Sequence, residues 1–155
     1  KEYSDFMFEV INYRWTQILE NFNSSPRISK KVKIIDFKEI KRTSLQKFHK
    51  YLDKIDSNCY ICGEPIIEKP SIDHVIPWSY MYSDDLWNLV YTHRGCNSSK
   101  SNRIVSETEI EKLENRNLEL MKVLTELGFE DKHTSELQLS IDKDFVRKFW
   151  IGFKG

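Results

Sequence analysis

Two sets of reactive side chains are nested between residues 59 and 102. The outer set is formed by Cys59-x2-Cys62 and His93-x2-Cys96. The inner set supplies a carboxylate, an imidazole and two amides, from Asp73, His74, Asn88 and Asn97. Thiolates and imidazoles are the usual ligands of structural zinc, whereas carboxylate and amide oxygens suit Mg²⁺ or Mn²⁺. The pattern therefore predicts two metals, one that holds the fold and one that takes part in chemistry.

The outer set favours a tetrahedral zinc site. Two x2 pairs let two short turns each offer two ligands to one ion. The three Cys of the chain are an odd number, which suits zinc in a reducing compartment better than a disulfide framework. A redox Cys-x2-Cys motif would need a βαβ context that this sequence lacks, and three unrelated buried Cys are the remaining alternative. His93 rather than His74 is the predicted fourth ligand, because only His93 reproduces the spacing with Cys96.

The inner set favours metal-assisted hydrolysis of a phosphodiester. Asp73 and His74 are predicted at the end of a strand, where consecutive side chains point to opposite faces. One can then bind a metal while the other reaches a water molecule. Imidazole titrates in the range that a general base needs, and phosphodiester hydrolysis also needs positive charge at the phosphate. An isolated Asp-His pair is more often structural, but the complete set favours the catalytic interpretation.

The elements that must position these residues follow from hydrophobic spacing and turn signals. The predicted elements are helices over 3–22 and 44–53, strands over 71–75 and 89–91 joined by a loop over 78–87, a short helix near 94–97, and helices from 106 to 128 and from 144 to 153. Ser106-x-x-Glu109 has the form of a capping box, and Gly128 stands where a C-terminal cap is expected. The aromatic residues of the last helix are expected to pack on the core.

The composition fits a soluble globular protein without a membrane partner. Of the 155 residues, 39% are hydrophobic and 31% are charged, and the net charge is zero. No signal peptide and no membrane-spanning run is visible, so a cytoplasmic location is expected. Residues 27–54 include ten basic and three acidic residues, which can place a positive face on a neutral protein. An ordinary solvated surface is the alternative explanation of this asymmetry.

Taken together, the motifs resemble the HNH endonucleases of the ββα-metal, or His-Me finger, class. The similar stretches are Cys59-x2-Cys62-Gly63, Ser71-Ile72-Asp73-His74-Val75-Ile76-Pro77-Trp78-Ser79, Asn88-Leu89-Val90, His93-x2-Cys96-Asn97 and Lys100-Ser101-Asn102. They resemble a zinc-bearing form of the family in which the third motif residue is Asn. The resemblance implies an α+β fold in one domain, 1–155. A ββα-metal core with a zinc knuckle would span 58–103, between helical flanks at 1–57 and 104–155.

The resemblance also implies a role for each motif residue. His74 would be the general base, Asp73 and Asn97 would bind a catalytic Mg²⁺ or Mn²⁺, and Asn88 would hold the loop that positions His74. The products would carry a 5′-phosphate and a 3′-hydroxyl. The cations after the metal loop are expected to contact flanking phosphates, with ordinary surface cations as an equal alternative. These cations are Arg94, Lys100 and Arg103.

Three functions are compatible with the sequence. The first is a metal-dependent DNA endonuclease with a structural zinc. The second is a non-catalytic zinc module that binds nucleic acid or protein, which would not need Asp73, His74 and Asn97 together. The third is a nuclease of the same fold that acts on RNA. The chain begins with Lys, and we expect another domain or subunit to supply targeting. A homodimer would suit double-strand cutting, and the family often serves restriction or anti-phage defence.

Overall fold

A computed structural model of the chain describes residues 2–23, 43–100 and 103–155. Most of the basic stretch expected to form a positive face, residues 27–42, lies outside these ranges, as do Ser101 and Asn102 of the motif block. In the part of the chain that is described, no helix is long and apolar enough to cross a membrane.

Seven helices and two strands are described in these ranges. In chain order they are α1 (Glu2–Asn23), α2 (His49–Leu52), β1 (Ser71–His74), α3 (Trp78–Met81), β2 (Leu89–Thr92), α4 (Arg94–Lys100), α5 (Glu107–Glu126), α6 (Lys132–Asp142) and α7 (Phe145–Lys154). Short 3₁₀ turns precede α2 and β2, at Leu45–Phe48 and Leu86–Asn88. The described chain is therefore mainly helical around one small sheet, which agrees with the predicted α+β class.

The sheet and the helix after it form a ββα unit at the predicted place. The strands β1 and β2 are antiparallel, and His74 at the end of β1 lies opposite Leu89 at the start of β2. Every residue of β2 is buried. A strand buried on both faces reads as a continuous apolar run, which is why Leu89-Val90-Tyr91 could be recognised in the sequence.

The connection between the strands is more ordered than the predicted loop over 78–87. Pro77 precedes α3, where its fixed φ and missing N–H do not disturb a helix, and Tyr82 ends α3 in the left-handed region at φ 52°. The 3₁₀ turn Leu86–Asn88 then leads into β2. The prediction of an irregular loop was wrong here. Two helical segments of a single turn each are too short to leave a periodic hydrophobic pattern in the sequence.

The C-terminal part folds into three helices. The predicted capping box is confirmed, since Ser106 accepts a hydrogen bond from the Glu109 N–H and the Glu109 side chain accepts from the Ser106 N–H. Gly128 follows α5 at φ 71°, a conformation that glycine adopts without strain. The helix α6 was not predicted. Its start was readable from the N-cap Asp131, whose side chain accepts from the backbone of His133 and Thr134.

One hydrophobic core joins these helices to the ββα unit. Trp87, just before β2, stacks on Phe149 of α7 with ring centroids 5.7 Å apart. Trp150 is also buried, and its indole N–H donates to the Val105 carbonyl at 2.7 Å. The predicted packing of the last helix on the core is thereby confirmed. By contrast, α1 has the predicted helical form, but Phe6 and Trp15 are exposed on it.

Candidate active site and metal centre

The four predicted zinc ligands lie together at one end of the ββα unit. Their ligand atoms, the three Cys Sγ and one ring nitrogen of His93, all lie within 4.8 Å of one another. Cys59 and Cys62 come from a tight turn in which the Gly63 N–H donates to the Cys59 carbonyl at 2.8 Å, and Gly63 takes φ 81°. His93 and Cys96 come from the start of α4. These four side chains can hold one metal ion, and their chemistry suits Zn²⁺.

The ring of His93 is oriented as a metal ligand requires. Its Nδ1 lies 3.4 Å from Cys62 Sγ and 3.9 Å from Cys96 Sγ. Its Nε2 lies 3.2 Å from the Pro65 carbonyl oxygen, which can only accept a hydrogen bond. Nε2 therefore carries the proton, and Nδ1 keeps a lone pair directed at the thiols. The donor set fits a structural zinc, with all four positions filled by protein.

The thiols of the cluster differ in their tendency to ionise. Burial opposes ionisation of Cys59, but hydrogen bonds from the backbone at Cys62, His93 and Ile61 outweigh it and lower the pKa of Cys59 to about 6. Burial and the neighbouring thiols raise the pKa of Cys96 to about 11. The Cys59 thiolate is thus favoured without metal, whereas a cation is needed to favour that of Cys96, as expected where ligands must lose protons to bind metal.

The inner set lies on the same unit, with Asp73 and His74 at the end of β1. Asp73 Oδ1 accepts a hydrogen bond from the His74 N–H at 2.8 Å, so the carboxylate is fixed against the strand. Asn97 on α4 donates from Nδ2 to Ser71 Oγ at 2.8 Å. In this orientation Asn97 Oδ1 makes no hydrogen bond to the described residues. A carboxylate and an amide oxygen of this kind suit a divalent cation such as Mg²⁺ or Mn²⁺.

Asn88 is fully buried and ties the segment after His74 to the start of β2. Its Oδ1 accepts from the Ile76 N–H at 2.8 Å, and its Nδ2 donates to the Ile76 carbonyl at 2.9 Å. The Val75 N–H also donates to the Asn88 carbonyl at 2.9 Å. The amide therefore pairs with both backbone polar groups of Ile76, two residues after His74.

The comparison with known families agrees with this geometry. Residues 61–106 match the HNH endonuclease family. The match covers under a third of the chain and contains the inner set, His93 and Cys96, whereas Cys59 lies just before it. No curated protein matches the chain.

A carboxylate that the sequence did not single out lies beside His74. Asp84 Oδ1 is 3.0 Å from His74 Nε2, and Thr43 Oγ1 donates to Asp84 Oδ2 at 2.6 Å. Burial favours the neutral acid, but the hydrogen bonds from His74 and Thr43 outweigh it and lower the pKa of Asp84. The sequence shows only two acids in the connection between the strands, and neither has a spacing that singles it out.

Lys100 is placed differently from the expected phosphate contact. It is buried, and its Nζ lies 2.7 Å from Asp73 Oδ2 and also contacts the His74 carbonyl. Because Lys100 lies one helical turn after Asn97 on α4, its long side chain reaches back over the strand end. Lys100 is therefore a buried, paired ammonium rather than a free surface cation, and its contact with flanking phosphates stays a prediction.

Arg103 is also engaged within the protein, whereas the Arg94 side chain has no hydrogen-bond or ion-pair partner among residues 2–23, 43–100 and 103–155. Arg103 forms a two-pronged ion pair with the Glu109 carboxylate at the start of α5. A contact between Arg103 and a phosphate would therefore compete with its ion pair to Glu109, which belongs to the capping box of α5. Arg94 is exposed at the first turn of α4, and it lines an open groove of about 420 Å³ beside β1. Two further basic side chains line that groove, Lys69 and His49.

The C-terminal helix α5 donates side-chain hydrogen bonds to the backbone of the HNH segment. Arg116 of α5 is buried and donates to the Leu89 carbonyl, at the residue that pairs with His74. Its neighbour Asn117 donates to the Trp87 carbonyl at 2.9 Å. These two bonds flank Asn88 on both sides. The region after residue 103 thus supports the strand on which the site depends, a contribution that the motif alone does not reveal.

Proposed function

We propose that the chain is a divalent-metal-dependent endonuclease that hydrolyses DNA phosphodiester bonds. The observation that carries the proposal is that Asp73 and His74 lie at the end of β1 and Asn97 is bonded to Ser71 of the same strand, all inside the segment that matches the HNH endonucleases. Asn97 Oδ1 and one edge of the His74 ring are not engaged by the bonds described above. Both oxygens of Asp73 already accept a hydrogen bond, from the His74 N–H and from Lys100, and each keeps a further lone pair for a cation.

In this proposal Asp73 and Asn97 bind the cation through oxygen atoms. When bound there, Mg²⁺ or Mn²⁺ would neutralise charge on the phosphate and on the leaving oxygen. His74 takes the proton of the attacking water, and Asn88 keeps the backbone after His74 in place. The Lys100 ammonium is paired with Asp73 Oδ2, so it would add a fixed positive charge beside a phosphate held by the cation.

Zinc has a structural task in this proposal. Cys59, Cys62, His93 and Cys96 would fill all four positions of the ion, which leaves none for water or substrate. The ion would join the turn before β1 to the start of α4, and α4 carries Asn97. Loss of zinc would therefore disturb the catalytic geometry without removing a catalytic group.

The groove beside β1 supports a nucleic-acid substrate. Lys69, His49 and Arg94 line it, and Ser71, which holds Asn97, lies at its wall. Basic side chains along a groove at the start of β1, the strand that ends in Asp73 and His74, suit a phosphate backbone, whose contacts carry affinity without reading sequence. DNA rather than RNA is proposed on the family resemblance, and a role in restriction or anti-phage defence stays a prediction of the same kind.

Cleavage of supercoiled plasmid and of a labelled RNA, each in EDTA, Mg²⁺ and Mn²⁺, tests the proposal. We expect nicking or linearisation of the plasmid that needs metal and is lost in Asp73→Asn. Glu111→Gln, which changes an exposed carboxylate on α5, is the matched control and should cleave like the wild type. Cleavage of RNA alone would reassign the substrate. Absence of cleavage with every metal would favour a zinc module that only binds nucleic acid or protein.

A further inference from the structure

The imidazole of His74 is held by a carboxylate through a contact that the proposed mechanism does not use. Asp84 Oδ1 lies 3.0 Å from His74 Nε2, and the two side chains are only 16% and 9% exposed. Asp84 belongs to the connection between β1 and β2, ten residues after His74. The contact therefore joins the end of the catalytic strand to a separate part of the fold.

A second side chain holds the Asp84 carboxylate through the oxygen that does not face His74. Thr43 Oγ1 donates to Asp84 Oδ2 at 2.6 Å, so both oxygens of the carboxylate are engaged, one by each neighbour. An ionised carboxylate can only accept hydrogen bonds. Nε2 of His74 must then carry the proton in this contact, and the lone pair of the neutral ring resides on Nδ1.

A purely structural task does not account for the contact. The backbone of this connection is already held by Asn88, through its two bonds to Ile76. Asp85, not Asp84, is the N-cap residue of the turn before β2. Across residues 43–100 and 103–155, the Asp84 carboxylate accepts from the side chains of His74 and Thr43 and from no backbone N–H. It anchors the ring rather than the loop.

We propose that Asp84 is a positioning residue that fixes the His74 imidazole in the orientation and tautomer of a general base, with Nδ1 free to take the proton of water. The inference rests on the proposed function, in which His74 is that base. Carboxylates that orient an imidazole in this way act through the histidine and do not touch the substrate.

The kinetic test compares Asp84→Asn with Asp85→Asn, which alters the neighbouring carboxylate that accepts from Ser83. An Asn side chain can present either its oxygen or its nitrogen to the ring, so it no longer selects one tautomer. We expect kcat for plasmid cleavage to fall about 10–100-fold in Asp84→Asn, with KM within about twofold of the wild type. Asp85→Asn should retain wild-type kcat, and Thr43→Val should cause a smaller loss than Asp84→Asn.

A spectroscopic test needs no cleavage and separates this inference from the proposed function. ¹⁵N chemical shifts of the His74 ring at about pH 8.5, above the ordinary titration range of imidazole, report which nitrogen carries the proton. We expect the Nε2–H tautomer in the wild type and in Asp85→Asn, and a tautomer mixture in Asp84→Asn. A wild type that shows this tautomer but cleaves nothing would overturn the nuclease proposal, not the contact. An unchanged tautomer, or an unchanged kcat, in Asp84→Asn would overturn the inference.

Discussion

The ammonium of Lys100 lies 2.7 Å from Oδ2 of Asp73, with the two side chains only 7% and 16% exposed. The same ammonium contacts the carbonyl of His74. Lys100 thus serves as the counter-charge of the proposed metal ligand in the metal-free protein, from the last residue of the helix that carries Asn97. The charge of Asp73 at the end of β1 is therefore balanced within the protein.

The first prediction concerns removal of this counter-charge in Lys100→Met. Breaking one partner of a buried ion pair leaves the other charge uncompensated, so we expect the free energy of unfolding without added Mg²⁺ or Mn²⁺ to fall by about 3–5 kcal/mol. Mg²⁺ or Mn²⁺ should restore part of the loss, because a bound cation can compensate Asp73. Urea unfolding of the zinc-loaded protein, with and without either cation, measures both effects. Lys132→Met, at a pair on the surface of α6, is the control. Equal stability of Lys100→Met and wild type without added cation would contradict the role of the pair.

The second prediction concerns Asn88→Ala. This change leaves the N–H and the carbonyl of the buried Ile76 without partners, and we expect a loss of about 2–4 kcal/mol in the free energy of unfolding. Urea denaturation measures the loss, with Asn115→Ala on the exposed face of α5 as the control. A loss under about 0.5 kcal/mol, typical of surface changes, would show that the amide does not hold the loop.

How far the sequence predicts this structure differs from one residue to the next. Cys59, Cys62, His93 and Cys96 could be grouped because metal chemistry imposes their spacing, and the ββα order followed from the motifs around Asp73. The capping box of α5 was readable because its signal is local. The aromatic side chains of α7 were correctly expected in the core.

Other features depend on tertiary placement, to which no local pattern points. Asp84 contacts His74 only because the chain folds back after β1, and its second partner, Thr43, comes from the N-terminal flank. Lys100 appeared as one more basic residue, although its position one turn after Asn97 brings it over Asp73. The support of Leu89 by Arg116 joins residues that are 27 apart in sequence. Spacing predicted the groups that we propose for metal binding and catalysis, but not the side chains that hold them in place.

The third prediction concerns the independence of the two metal sites. Zinc content by mass spectrometry should be one ion per chain in the wild type and in Asp73→Asn, and it should fall strongly in Cys62→Ser. Cys62 is exposed, so its loss removes a ligand with little loss of packing. Strong zinc loss in Asp73→Asn, or full zinc retention in Cys62→Ser, would contradict the assignment of ligands.

The fourth prediction concerns the acid stability of the α5 cap. Burial opposes ionisation, but hydrogen bonds from Arg103 and from Ser106 outweigh it and lower the pKa of Glu109 to about 2. A carboxyl whose pKa is lower in the folded state stabilises the protein above the unfolded-state pKa, near 4.5. That contribution is lost as the pH falls from about 4.5 towards 2.

Thermal melts across this acidic range check the cap in Glu109→Gln. The variant should be less stable than the wild type at neutral pH, and the difference should shrink as the pH falls. Glu111→Gln changes an exposed carboxylate two residues further along α5, and it should keep the wild-type dependence of stability on pH. A stability difference between Glu109→Gln and wild type that stays constant with pH would contradict the role of the ionised carboxylate.

The central claim is that His74 is the base of a metal-dependent DNA nuclease, and the rate of plasmid cleavage by His74→Ala tests it most directly. The variant must be purified beside the wild type, with equal zinc content and the same melting temperature. The account predicts metal-dependent cleavage by the wild type and a rate at least about 100-fold lower in His74→Ala, the usual range for a lost general base. A rate within about threefold of the wild type, in a preparation with intact zinc, would contradict it.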